Sequence, residues 1–171
     1  TPFKRDIIRE IAEACKRADI KLGLYYSQCI DWHEENGGAY DENYYHSNFG
    51  MSWDNDWDFP NRSQKNYMIC YEKKIKPQVE ELLTRYGDLC LIWFDTPIDM
   101  PRSCAEELSQ MVKRYQPQCL VSSRIGAGMG EYRSMGDNQL PEEYMDELVE
   151  SPVTLNDTWG YKSFDNNWKS A

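Results

Sequence analysis

The sequence has no apolar run of about 18 residues, the length that spans a bilayer, so it predicts no transmembrane helix. Positive charge is also scarce. There are 19 Lys and Arg against 29 Asp and Glu, which gives a formal net charge of −10. Nucleic acids and anionic membranes are bound by clustered basic side chains, so we expect neither as a partner.

Histidines and closely spaced cysteines are few as well. The six cysteines include no Cys-x-x-Cys pair, and only His33 and His46 accompany them, so the ligand spacing of a zinc site is missing. We therefore expect no metal and no cofactor, and we expect most cysteines to be buried free thiols. The chain begins at Thr1 with neither an initiator methionine nor a signal-peptide pattern, which indicates a piece of a longer protein.

Aromatic residues, by contrast, are abundant. The 12 Tyr, 6 Trp and 5 Phe make up 13% of the chain. This excess is typical either of a bulky core or of a sugar-binding cleft, because Trp and Tyr offer an apolar face and a hydrogen-bonding edge. Composition alone leaves both interpretations open.

Helical and strand patterns alternate along the chain. The predicted helices cover about 3–18, 64–86, 103–115 and 141–148, and the predicted strands lie near 21–27, 89–94 and 119–124, with a last strand or extended segment at 151–161. This alternation indicates βαβ units with a parallel sheet, an α/β fold. Four strands cannot close a (β/α)8 barrel, which has eight strands and about 250 residues, so the pattern is typical of part of a larger domain.

Three local signals predict helix boundaries. Thr1-Pro2 is typical of a helix start, and the segment from Ser103 to Glu106 has the spacing of a capping box. Pro77 has no amide hydrogen, so we expect it to kink or divide the second helix.

Polar and aromatic residues follow every predicted strand, where parallel α/β folds gather their working groups. They are Tyr25, Tyr26, Ser27, Trp93, Asp95, Ser122, Ser123, Arg124, Glu150 and Asn156. Asp95 ends an apolar strand, a place where acids are rare. It is therefore either a cap for the next turn or a working group.

Carboxylates among aromatics favour glycoside hydrolysis, which needs one carboxylate to attack and one acid to protonate the leaving oxygen. Asp95 on a rigid strand end suits the nucleophile. The acid is expected on a later loop, where Glu131, Glu142, Glu143 and Glu150 are the candidates. We predict that the two carboxyl groups lie about 5–5.5 Å apart, the separation of retaining enzymes.

Four segments, GLYYSQCIDWHEE, ELLTRYGDLCLIWFD, SSRIG and TLNDTWGY, occur in an order and spacing that resemble the α-L-fucosidases of glycoside hydrolase family 29. The resemblance covers essentially all 171 residues. It implies that the chain is part of one catalytic (β/α)8 TIM barrel domain, from roughly the fourth strand onward. It also implies an exo-glycosidase that releases terminal α-L-fucosyl residues with retention, through a covalent fucosyl-enzyme intermediate and without a cofactor.

The resemblance also implies roles for individual residues. Asp95 matches the family's nucleophile, and Trp93 matches a tryptophan that lines the fucose site. Tyr25 or Tyr26 matches the tyrosine of an earlier strand end. Arg124 matches an arginine near the sugar and the nucleophile.

For the acid/base, the resemblance implies Glu150, with Glu142 as the alternative. Two positions depart from the family pattern: Thr96 replaces the usual glycine after the nucleophile, and Val149 replaces the tryptophan before the acid. They leave open a non-catalytic fucose- or carbohydrate-binding relative. The early barrel strands and the family's sugar-binding histidine pair are missing from the sequence, so the fragment alone is expected to be inactive.

The expected partner is a fucosylated oligosaccharide or glycoconjugate. A half barrel exposes two strand edges, which favours a homo-oligomer or a companion chain. A metal-dependent hydrolase on the same barrel is disfavoured by the shortage of histidine. The cellular location stays open, because the resemblance is compatible with periplasmic, secreted and lysosomal proteins.

Overall fold

A computed structural model describes residues 2–37, 55, 57–98 and 100–170. The chain forms two compact units, Thr1–Glu131 and Tyr132–Ala171. Helices and parallel strands alternate in the first unit, and the second holds a small sheet among irregular segments. The mixed α/β class predicted from the sequence is confirmed.

A three-stranded parallel sheet forms the centre of the first unit. Its strands, in spatial order, are β1 (Leu22–Ser27), β2 (Leu89–Asp95) and β3 (Leu120–Val121). The middle strand β2 carries the continuous apolar run, as expected for a strand that is covered on both faces. Because the strands are parallel, their carboxyl ends lie at one edge of the sheet.

Among the described residues three longer helices accompany this sheet, and none of them begins at the residue predicted from the sequence. They are α1 (Ile7–Arg17), α2 (residues 67–85) and α3 (Arg102–Tyr115). The Asp6 carboxylate caps α1 by accepting the Arg9 N–H at 3.0 Å. The predicted start at Thr1-Pro2 is therefore wrong, since Asp6 supplies the oxygen that the first turn needs.

The predicted capping box of α3 is also wrong. The helix begins at Arg102 directly after Pro101, which places Ser103 inside the first turn. The Pro101 carbonyl accepts the Cys104 N–H at 2.9 Å, and Glu106 pairs with Arg102 at 2.8 Å. The glutamate thus binds a side chain one turn earlier and does not close a box.

Helix α2 changes character along its length. It consists of an α-helical turn Tyr67–Cys70, a π-helical turn Tyr71–Ile75 and an α-helix Lys76–Arg85. Pro77 lies in the first turn of the last segment, where its missing N–H is tolerated. The residues at the junctions are helical, so the three segments form one continuous helix, and the predicted division at Pro77 is wrong.

The core of the first unit lies between the sheet and helices α2 and α3. Its fully buried side chains include Ile92 and Phe94 of β2, Val79 of α2, and Leu108 and Val112 of α3. Four of the six cysteines are buried, and all six are free thiols. No helix among the described residues is long and apolar enough to cross a membrane.

The second unit contains one parallel pair of short strands, β4 (Arg133–Ser134) and β5 (Val149–Glu150). The predicted helix 141–148 is wrong, since that segment is irregular, and residues 151–161, predicted as a strand or an extended segment, contain no strand. The Asn138 N–H donates to the Pro152 carbonyl at 2.8 Å, and its side-chain oxygen accepts the Thr154 N–H at 2.9 Å. Such local polar bonds satisfy the backbone without a ladder.

Candidate active site

The carboxyl edge of the three-stranded sheet brings together Tyr25, Trp93, Asp95 and Arg124. In the β1–β2 register Tyr25 pairs with Trp93, and Ser27 pairs with Asp95. Arg124 lies in a 3-10 turn, Ser123–Ile125, that follows β3 almost directly. These four side chains thus lie side by side at one edge of the sheet.

The Asp95 carboxylate is bonded through both oxygens. Its Oδ2 accepts a hydrogen bond from the Tyr25 hydroxyl at 2.8 Å, and its Oδ1 lies 3.3 Å from Nη1 of Arg124. The side chains of Asp95 and Arg124 are each 20% exposed, so solvent reaches a mostly covered ion pair. The carboxylate therefore faces side chains of neighbouring strand ends, as a working group would.

Trp93 contacts both partners of this carboxylate. Its ring stacks on Tyr25 with centroids 5.3 Å apart and an interplanar angle of 23°. The Arg124 guanidinium carbon lies 4.8 Å from the Trp93 ring centroid. Stacking and cation–π contact with one indole ring thus help to hold both hydrogen-bond donors in place.

The consecutive tyrosines face opposite sides of β1. The Tyr25 ring reaches Asp95, whereas the Tyr26 ring packs edge-on against Phe94 and donates its hydroxyl hydrogen to Gln78 Oε1 at 2.8 Å. Of the two tyrosines matched to the family's site, Tyr25 is the one beside the carboxylate. The aromatic excess therefore serves both this site and the core.

The Tyr25 phenol is well suited to donate to Asp95. Partial burial of its hydroxyl raises its pKa, and the hydrogen bond to Asp95 and the negative charge of that carboxylate raise it further. The phenol is therefore protonated throughout the neutral range. Burial likewise raises the pKa of Tyr26 on the opposite face.

The turn after β2 has an unusual backbone. Thr96 has a φ of 57°, a left-handed conformation that costs a non-glycine residue about 1–2 kcal/mol. Its hydroxyl lies 2.8 Å from the Ser27 hydroxyl, which donates to the Ile30 carbonyl at 3.1 Å. Because Ser27 has one hydrogen to give, Thr96 is the donor in their bond.

Gln28 joins the strand ends through hydrogen bonds and was not predicted. It is fully buried, and it bonds the backbone of both Asp95 and Arg124. Neither its residue type nor its spacing belongs to a catalytic motif. Ser122, which was predicted, is also buried and donates its hydroxyl hydrogen to the Phe94 carbonyl at 3.2 Å.

The candidate acids lie in different surroundings. Glu131 of the first unit pairs with Lys113 at 2.6 Å and accepts the Val121 N–H at 3.0 Å, so it supports the strand β3. Glu142 and Glu143 are exposed in an irregular segment of the second unit.

Glu150 ends β5 and is half-buried, and its carbonyl accepts the Met135 N–H at 2.9 Å. Asn156, also predicted, is half-buried and donates its side-chain N–H to the Asp165 carbonyl at 3.3 Å. The carboxyl separation of about 5–5.5 Å stays a prediction.

Of the two histidines, the structure describes His33. His33 is exposed on the loop after β1, and its N–H donates to Asp31 Oδ1 at 2.9 Å. Asp31 in turn pairs with Lys74 of α2. His46 lies outside the described residues. Within the described ranges, no group of three or more His, Cys, Asp or Glu side chains is placed to hold a metal ion.

Comparison with known proteins identifies one family throughout. The α-L-fucosidase family model matches residues 1–171. The α-L-fucosidase AlfC from Lactobacillus casei, solved with α-L-fucose, is 45% identical with a TM-score of 0.87, over 99% of this chain and 52% of that one. No match is found among curated proteins.

Two structures with lower sequence identity to this chain are also α-L-fucosidases. An α-L-fucosidase from Vibrio sp. strain EJY3 is 37% identical with a TM-score of 0.82, over 99% of this chain and 29% of its own. Isoenzyme 1 from Paenibacillus thiaminolyticus is 30% identical with a TM-score of 0.76, over 99% of this chain and 42% of its own. The chain thus spans about half the length of AlfC and less of the other two.

Proposed function

Because the chain belongs to the α-L-fucosidase family, we propose that it forms part of a retaining exo-glycosidase that releases terminal α-L-fucosyl residues. The observation that carries the proposal is the Asp95 carboxylate, held by Tyr25 and Arg124 at the carboxyl edge of a parallel sheet. The proposal includes the larger fold. The sheet is one arc of a (β/α)8 barrel, and residues 1–171 are one stretch of a single catalytic domain in a longer parent protein.

In the first step an Asp95 oxygen attacks the anomeric carbon of the fucosyl group. The bond to the aglycone oxygen breaks, and that oxygen keeps the electron pair and takes a proton from the acid, Glu150, with Glu142 as the alternative. The product is a fucosyl ester of Asp95. The aromatic faces of Trp93 and Tyr25 pack against the apolar face of the sugar.

In the second step water attacks the same carbon from the side that the aglycone left. The acid/base carboxylate takes the water proton, and the ester bond breaks to restore ionised Asp95. Each displacement inverts the anomeric centre, so the two together retain its configuration.

The geometry around Asp95 supports a nucleophile more than a permanent ion pair. The Arg124 contact of 3.3 Å is longer than the roughly 2.7–2.9 Å of a strong charge-assisted hydrogen bond. The guanidinium therefore orients the carboxylate. Asp95 loses its negative charge as it attacks, and only the weak contact with Arg124 is given up at that point. The Tyr25 hydroxyl fixes the other oxygen.

The stereochemistry of one turnover tests this proposal. The full-length parent is incubated with 4-nitrophenyl α-L-fucopyranoside, a compound seen bound to an AlfC variant, and the released sugar is followed by NMR. We expect α-L-fucose as the first product. First release of the β-anomer would contradict retention. Binding of fucose without turnover would instead support the non-catalytic relative.

The acid/base is tested separately with Glu150→Ala and Glu142→Ala. Fucα(1,6)GlcNAc, bound by an AlfC variant, needs a protonated leaving oxygen more than the nitrophenyl substrate does. The acid variant should therefore lose more activity on the disaccharide, and added azide should yield α-L-fucosyl azide. Asp137→Ala is the comparison variant. Asp137 lies two residues after Met135, whose N–H donates to the Glu150 carbonyl. If Asp137→Ala alone gives this result, the assignment to Glu150 is wrong.

A further inference from the structure

We propose that Gln28 is a positioning residue that keeps Asp95 and Arg124 aligned through their own backbones. The inference rests on the proposed function and adds to it a residue that contacts neither the sugar nor the reacting atoms. Gln28 directly follows β1.

The hydrogen bonds of Gln28 reach both charged members of the site. Its backbone N–H donates to the Asp95 carbonyl at 3.2 Å. Its side-chain Nε2 donates to the carbonyls of Arg124 at 3.0 Å and Ile125 at 3.3 Å. One fully buried residue thus fixes the end of β2 and the turn after β3 at the same time.

Gln28 is itself held in place from the helix side. Its carbonyl accepts the buried Tyr67 hydroxyl of α2 at 3.3 Å. If the Gln28 amide were lost, two carbonyls of the Ser123–Ile125 turn would lose a donor, and the turn could shift. Because Arg124 meets Asp95 at 3.3 Å, a shift of a fraction of an ångström would separate them.

A second glutamine, away from the site, makes hydrogen bonds similar to those of Gln28 and serves as its control. Gln116 also donates its Nε2 to two backbone carbonyls, those of Leu83 at 2.7 Å and Gly87 at 3.0 Å. Its Oε1 accepts the Leu89 N–H at 2.7 Å, at the amino end of β2. Leu89 and Asp95 are at opposite ends of the strand, about 20 Å apart at the usual rise per residue. Gln116 therefore gives similar support to the fold without touching the site.

The test compares Gln28→Met with Gln116→Met in the full-length parent. Both variants should lower the melting temperature, since each removes two side-chain donations to the backbone. At a temperature where both are folded, only Gln28→Met should lower kcat on 4-nitrophenyl α-L-fucopyranoside, by about 10–100-fold, with KM changed less than about 3-fold. Gln28→Glu keeps the shape of the side chain and the hydrogen bond from the backbone N–H to Asp95. It should also lower kcat while it changes KM less than about 3-fold.

Each alternative result overturns the proposal. An unchanged kcat in Gln28→Met, or an equal loss in Gln116→Met, would leave Gln28 with a structural role only. If neither Gln28 variant folds while Gln116→Met does, Gln28 likewise has a structural role only. If the wild-type parent does not hydrolyse the substrate, the proposed function fails. In that case the crystal structure of Gln28→Met tests the positioning role by itself. If Arg124 has not moved relative to Asp95, the positioning role is overturned.

Discussion

Tyr25 and Tyr26 show how one step along a strand separates a site residue from a core residue. Consecutive strand residues point to opposite faces. Tyr25 therefore meets Asp95, and Tyr26 meets Phe94 and Gln78. The two hydroxyls make bonds of equal length, 2.8 Å, to different partners.

Removing each hydroxyl in turn is the sharpest test at the residue scale. Tyr25→Phe should lower kcat by about 10–100-fold, because a hydrogen bond to a charged group contributes about 1.5–3 kcal/mol. Tyr26→Phe, the matched control, should leave kcat within about 2-fold and affect only stability. Steady-state kinetics of the full-length parent measure both. An equal effect of the two changes would contradict the site described here.

Sequence reasoning identified most of the residues beside the carboxylate and missed their support. Asp95, Trp93 and Arg124 are detectable because polar or aromatic groups at strand ends are unusual against an apolar run. Gln28 also directly follows a strand, but its importance comes from backbone carbonyls that only folding brings near. The positive φ of Thr96 is hidden by its residue type, because threonine ordinarily avoids that conformation, and only the glycine usual at this position in the family indicates it.

At the scale of elements, the turn after β3 depends on close contact with the turn after β2. Gly126 ends the Ser123–Ile125 turn with a φ of 91°, and a Cβ there would lie 2.7 Å from Cβ of Pro97. Two residues further on, Gly128 has a φ of 71° and nothing within 4 Å of such a Cβ. Both glycines have a positive φ, but they differ in the space around them.

We therefore expect Gly126→Ala to be more destabilising than Gly128→Ala. Both variants place alanine at a positive φ, which costs at least about 1–2 kcal/mol, and more at Gly126, whose ψ is −174°. Only Gly126→Ala must also displace Pro97, and overpacking of this kind typically adds about 1–3 kcal/mol. Thermal melts of the two variants measure the difference. Equal melting temperatures would show that the two turns are not packed as described.

The elements predicted best are those with a strong internal pattern. The apolar run of β2 predicted the strand to within one residue, since burial on both faces leaves a continuous signal. The segments after residue 134 were predicted poorly. There, Asn138 and Thr154 bond neighbouring backbone groups and replace the helix and strand that propensity favoured.

At the scale of the whole molecule, buried tyrosines determine how the protein responds to base. Burial is the main cause that raises the pKa of Tyr26, Tyr67 and Tyr71. A pKa raised by folding contributes stability that is complete below the unfolded value of about 10 and is lost as pH rises through the folded value. The free energy of unfolding should therefore fall steeply above about pH 10.

Matched tyrosine variants test this response. Tyr71→Phe should flatten the fall in stability above about pH 10, although it also removes the bond to Glu107 and lowers stability at neutral pH. Tyr144→Phe, a change at an exposed position, should leave the slope unchanged. Denaturant unfolding at several pH values gives both slopes. Equal slopes would contradict the burial assigned to Tyr71.

The central claim, that Asp95 is the nucleophile, is tested most directly by Asp95→Ala in the full-length parent. Asp88→Ala, an exposed acid just before the same strand, is the control. We predict that Asp95→Ala loses at least about a thousandfold in the hydrolysis of 4-nitrophenyl α-L-fucopyranoside. Added azide should restore part of it through a single displacement that yields β-L-fucosyl azide, while Asp88→Ala stays active. Full activity in Asp95→Ala would contradict the claim and leave Asp95 as the cap of a turn.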